Sequence, residues 1–163
     1  MYKAESPTIT VTDGGNYGYA SSSITVSSGS ISADVSDSTV TGSGSTTVNS
    51  PISVTITLYD TWENPKEGIT AEHITLVSSG GTITQPSSNT DSNGVTTGSI
   101  QWASTGSKTV QVQITTDPLV QDDGTTADAD GYLDNTLGVT VEAPASAERL
   151  KGNLRLKGNL RLK

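Results

Sequence analysis

The stretch Ile52 to Gly68, ISVTITLYDTWENPKEG, constrains this chain more than any other. Ile52, Val54, Ile56 and Leu58 alternate with Ser53, Thr55, Thr57 and Tyr59. A period of two sends the aliphatic set to one face and the polar set to the other, the pattern of a half-buried β-strand. Asp60 breaks the pattern, and Asn64, Pro65 and Gly68 follow with turn chemistry, because proline fixes φ while asparagine and glycine tolerate positive φ. The chain reverses here, and the segments that follow must return to this strand to cover its apolar face.

The other aliphatic residues sit in short alternating runs of the same kind. Thr8 to Thr12 and Ser23 to Val26 read as two strands, with Asp13, Gly14, Gly15 and Asn16 as a hairpin signal between them. Ile31, Ala33 and Val35 share a face, and a flexible GSGSTTVNSP leads into the strand at Ile52. His73 to Ser78 forms a strand with Ile74 and Leu76 inward. A short GTIT and the loop SSNTDSNG follow. Val95 to Ala103 carries Ile100 and Trp102 on one face, Thr105 to Lys108 turns the chain, and Val110, Val112 and Ile114 line the next inward face. Outside the C-terminal tail no window has the 3.6-residue period of an amphipathic helix, so the body is all-β. Short strands at even spacing, separated by Gly, Asn, Asp and Ser, predict an Ig-like antiparallel β-sandwich. Its core should contain Ile56, Leu58, Ile100, Trp102, Val110 and Val112.

Ile, Val and Leu together make 33 of 163 residues. That is close to the level of about 20% at which a charged chain can stay disordered. Their clustering into Thr- and Val-rich runs argues for a pleated, half-buried surface instead. Cysteine is absent, so packing has to stabilise the fold without disulfides. No run approaches the roughly 20 apolar residues of a membrane span. The start, MYKAES, has no apolar signal core, so export implies a signal already removed. The net charge of −8 is unevenly spread: residues 148 to 163 hold six basic side chains against Glu148, net +5, leaving three basic and sixteen acidic residues, net −13, in residues 1 to 147. Such a body is a poor nucleic-acid binder, because that binding rests on neutralising phosphates. It suits a soluble extracellular protein or one that holds cations.

The segments SVTITLYDTWENPKEG and NTDSNGVTTGSIQWASTGSKTVQVQI resemble the bacterial Ig-like domains found in tandem in invasins, intimins and related surface adhesins. That family's pattern is a strand ending in Asp, a Gly-Asn-Pro turn, a further strand, a T-D-x-N-G loop and a closing pair of strands. Here Glu63 stands where the family usually has Gly. The resemblance covers about Ile31 to Thr116. It implies a module that spaces or presents an adhesive surface outside the cell. The organisation that follows is a sandwich over residues 1 to 144, with extra N-terminal strands at 8 to 26 and an acidic segment at 117 to 135. Residues 145 to 163 form a basic repeat tail.

Three features carry possible chemistry. Residues 117 to 135 hold six Asp, and Asp128, Asp130 and Asp134 with Gly131 read D-x-D-G-x-x-D, similar to the opening of a calcium loop. The closing bidentate Glu of an EF-hand is missing, and a solvated acidic loop is the competing reading. Trp62, Trp102 and Tyr59 are candidates for a sugar-stacking platform. Of these Trp102 shares the inward face with Ile100 and belongs to the core, which leaves Trp62, in a turn beside Glu63, as the ligand candidate. The tail repeats LRLKGN, as an amphipathic meander, a cationic element that touches an anionic membrane, or an extension foreign to the fold. The single histidine, His73, is expected on an outward face, and no G-x-S-x-G, H-E-x-x-H or phosphate-loop pattern occurs, so the reading is not an enzyme. Expected partners are a protein or glycan at a cell surface, or further copies of the chain. The alternatives are a structural subunit of an extracellular filament or virion and a carbohydrate-binding module.

Overall fold

The computed structural model describes residues 25–115 and 131–145, which build two four-stranded sheets around one core. In chain order the strands are β1 (Thr39–Gly42), β2 (Ser45–Thr47), β3 (Ile52–Thr57), β4 (Ile74–Ser78), β5 (Thr82–Thr84), β6 (Val95–Gln101), β7 (Gly106–Ile114) and β8 (Leu137–Glu142). A 3-10 turn, Ala71–His73, leads into β4. One sheet has the order β1-β3-β6-β5 and the other β2-β8-β7-β4. Every pair is antiparallel except β2 with β8, which run parallel with Ser45 opposite Thr140 and Thr47 opposite Glu142.

Alternation along β3, β7 and β8 sends one apolar set inward from each sheet. Val54, Ile56, Leu58, Ile100 and Trp102 meet Leu76, Val110, Val112, Val139 and Val141 in a single buried cluster. All six residues expected in the core are at most 1% exposed. Ile31 and Ala33 are also buried, as their shared face implies.

Val35 departs from expectation and is 54% exposed. Pairing ends at the bridge between Ile31 and Asp60, and Asp34 then turns the chain. Its carboxylate accepts the Ser36 N–H at 2.9 Å, while its carbonyl accepts the N–H groups of Asp37 and Ser38. An aspartate side chain competing locally for backbone donors thus ends the alternation before Val35. His73 lies in the 3-10 turn rather than in the strand, which begins at Ile74. Within the stretch read as a flexible lead, Ser45–Thr47 forms β2, because it lies beside β8, a strand absent from the expected set. The β6 to β7 turn also ends earlier than expected, with β7 starting at Gly106. The expected strand at 8 to 12, residues 23 and 24 of the expected strand at 23 to 26, residues 117 to 130 of the acidic segment and the basic tail beyond Ala145 lie outside the described residues, while Thr25 and Val26 are described and belong to no strand.

Candidate functional site

At the end of the sandwich where β3 leaves and β6 enters, the loop after β3 and the loop before β6 meet. Asp60 keeps the inward parity of Ile56 and Leu58, so it is fully buried with a polar head where an aliphatic would otherwise lie. Its Oδ1 accepts the N–H groups of Trp62 and Asn64, each at 2.9 Å. Its Oδ2 accepts the Gly29 N–H at 2.8 Å and the Asn64 Nδ2 at 2.9 Å. Burial raises the Asp60 pKa, but the hydrogen bonds from Asn64, Gly29 and Trp62 outweigh it, and the carboxyl ends below its ordinary range. Lys66 completes the clamp, its Nζ donating to the Gly29 carbonyl at 2.6 Å.

Thr90 and Asp91 tie the second loop to the first. The Thr90 hydroxyl donates to the Lys66 carbonyl at 2.5 Å and accepts the Ile69 N–H at 2.9 Å. Asp91 Oδ1 accepts the N–H groups of Val95 and Asn93, each at 2.9 Å, and these bonds hold its pKa below the ordinary value. Gly94 sits at φ +74°, and a Cβ there would run into the Leu58 carbonyl. Both constraints restrict the position to glycine. The residues that the family-like motifs single out, Asp60, Asn64, Thr90, Asp91 and Gly94, are therefore occupied in building this end of the fold.

Trp62 is what that construction leaves facing outward. It is 48% exposed and lies over Gly29, where an added Cβ would stand 3.1 Å from its Cζ3. With Val26, Pro65, Glu63 and Glu67 it lines an open groove of about 610 Å³. Trp62 and Trp102 do not form one platform: Trp102 is 1% exposed and follows β6 at the opposite end of the sandwich. Tyr59 lines a separate cleft with Asp37 and Glu63.

No family model matches the sequence, and a search of curated proteins gives no match. Solved structures do match. Invasin, a bacterial integrin-binding protein, superposes with a TM-score of 0.54 at 17% identity, over 86% of this chain and 25% of its own. The Escherichia coli adhesin FdeC superposes with a TM-score of 0.52 at 20% identity, over 77% of this chain and 37% of its own. The fold is an Ig-like β-sandwich, similar to parts of these adhesins. The chain spans well under half the length of either protein, and identities this low relate the folds alone.

Asp128 and Asp130 lie outside the described residues. Asp134 is exposed, with its N–H donating to the Ala33 carbonyl at 2.9 Å. Among the described residues no three His, Cys, Asp or Glu side chains gather as a metal site would require. Gly131 has a local structural use, since at φ +73° its carbonyl accepts the Ile114 N–H and a Cβ would stand 2.8 Å from the Ile114 carbonyl. His73 lies at the surface, its Nδ1 3.2 Å from the Thr115 hydroxyl and its Nε2 3.8 Å from Glu72. Sequence reasoning missed the buried role of Asp60. Its even-numbered position after Leu58 carried that signal.

Proposed function

We propose that this chain is a non-enzymatic, extracellular Ig-like module of a bacterial surface protein, and that it spaces or presents an adhesive surface. The supporting observation is the division of labour at the Trp62 end: the carboxylates and hydroxyl of Asp60, Asp91 and Thr90 are committed to backbone groups, while a large indole remains half in solvent over a groove. Aromatic anchors beside polar groups are what protein and glycan contacts use. The likeness to invasin and FdeC supports a cell-surface setting. No helix among the described residues is long and apolar enough to cross a membrane. The test is attachment of beads coated with the full chain to cultured host cells, with Trp62→Ala as the comparison. A loss of about tenfold on removing the indole is expected for a central aromatic contact. Equal attachment by both proteins would sink the role of this end.

A second reading, a carbohydrate-binding module, rests on the same indole with Asn64, Glu63 and Glu67 at its edge. Glycan-array binding that disappears in Trp62→Ala would favour it over a protein receptor. Calcium at Asp128, Asp130 and Asp134 remains a proposal drawn from their spacing. An ion bound only by the native state must raise the melting temperature, and chelator must reverse the gain. An unchanged melt in millimolar calcium would leave these residues as a solvated loop.

A further inference from the structure

Among the described residues the β4 strand is an edge of its sheet, with β7 on one side and no strand on the other. Leu76 lies opposite Val112 in that pairing, yet its main-chain groups are bonded elsewhere. The Leu76 N–H donates to Gln85 Oε1 at 2.7 Å, and the Leu76 carbonyl accepts Gln85 Nε2 at 3.0 Å. One side-chain amide therefore supplies the donor and the acceptor that a neighbouring strand would supply. Pro86 helps hold it in place. That proline is buried, and the residue before a proline is confined to extended backbone, so Gln85 leaves β5 already directed along the β4 edge. The other sheet has a similar arrangement at β1, also an edge, where the Val40 N–H donates to Asn135 Oδ1 at 2.8 Å.

An open edge is a template for pairing with another chain. Ile74–Ser78, ITLVS, has three β-branched residues, no charge and no proline, so nothing within the strand itself resists a partner. Like charge on the acidic body opposes association in general, but the strand itself is uncharged, so a second copy of it adds no like-charge pair at the seam. A two-fold axis through Leu76 would let two copies exchange the same pair of bonds that Gln85 now makes. We propose that Gln85 is a built-in plug that keeps the β4 edge closed, and that this edge, once the amide is gone, takes a second copy of the same strand. The Gln85 side chain is solvent-exposed, so the plug sits at the surface where an incoming strand would arrive.

The experiment uses the full chain and its Gln85→Ala and Gln85→Met variants. Methionine keeps the bulk over Leu76 while removing both hydrogen-bonding atoms, which separates a folding defect of the alanine variant from loss of the amide. Light scattering and amide exchange at Leu76 are followed from about 10 µM to about 0.5 mM. In the wild type, Leu76 exchange should not depend on concentration. In both variants it should run at least about tenfold faster at the low end. As the sample is concentrated, protection should return together with a doubling of mass. Gln85→Glu keeps an acceptor for the Leu76 N–H but sets a carboxylate on the edge, and its mass should not change with concentration. Three results would each overturn the proposal: wild-type exchange in Gln85→Met, fast exchange that persists with no rise in mass, or dimerisation of Gln85→Glu to the same extent as the alanine variant.

Discussion

Asp60 is a buried carboxylate that four donors hold in place, and removing it exposes the cost of that arrangement. Asp60→Ala leaves the N–H groups of Gly29, Trp62 and Asn64 and the Asn64 amide without their acceptor. Several buried donors left unsatisfied should destabilise the fold by about 2–4 kcal/mol, measured by urea unfolding. Asp34, Asp60 and Asp91 all have lowered pKa values, so each binds protons more readily in the unfolded chain. Their contribution is complete above the ordinary carboxylate range of about 3.9 and is lost as pH falls through the lower folded values. The melting temperature should therefore stay level from neutral to about pH 5 and drop below about pH 4, with a shallower drop in Asp60→Asn. Glu63 offers the opposite case. It occupies φ +61°, a conformation that costs a non-glycine residue about 1–2 kcal/mol. Glycine returns about 0.4–1 kcal/mol through unfolded-chain entropy, so Glu63→Gly should stabilise by up to about 1 kcal/mol in the same urea assay. The resemblance to adhesin domains had marked this position as the departure, and the backbone angle supplies the physical reason.

Strand β8 shows how an element can be legible and still be passed over. Leu137, Val139 and Val141 alternate as regularly as the residues of β3, and all are buried. The signal lies just beyond the acidic segment at 117 to 135, between it and the basic tail. Strand β2, by contrast, could not be found from its own residues. Ser45, Thr46 and Thr47 have no apolar alternation, and they become a strand only because β8 presents an edge for them to join in parallel. The pairing β2-β8-β7 makes the sheet depend on residues distant in sequence. Val141→Thr preserves volume but buries a hydroxyl between the sheets, and should cost about 1–3 kcal/mol by chemical denaturation. If the melt were unaffected, β8 would not be integral to the core.

For the molecule as a whole, the acidic body sets a condition on stability. Net −13 over residues 1 to 147 favours solubility but repels itself in the compact state. Raising sodium chloride from about 10 mM to about 0.5 M shortens the screening length several-fold, and the melting temperature should rise by about 2–5 °C. A falling melting temperature would mean that attraction between the body and the basic tail outweighs repulsion within the body. Closing the sandwich also requires contacts across much of the chain, such as Ser45 with Thr140. Folding is therefore expected in the millisecond-to-second range typical of β-sandwiches, which stopped-flow fluorescence of Trp102 would read.

The class of fold and most of the core are legible in the residue order, because β-alternation is local: the identities of neighbours two apart decide which face of a strand is buried. That reasoning placed Ile56, Leu58, Ile100, Trp102, Val110 and Val112 correctly, and located the turns at Asp60 and Asp91. The roles of the polar residues emerge from the folded arrangement instead. Asp60 reads as a break in a strand until Gly29 is seen beside it, thirty-one positions away. Gln85 reads as a loop residue until Leu76 is seen at the edge it covers. Val35 fits the alternating pattern and is exposed because Asp34 bonds to its neighbours instead. A hydrogen bond is short-ranged and directional, so its partner is chosen by the fold.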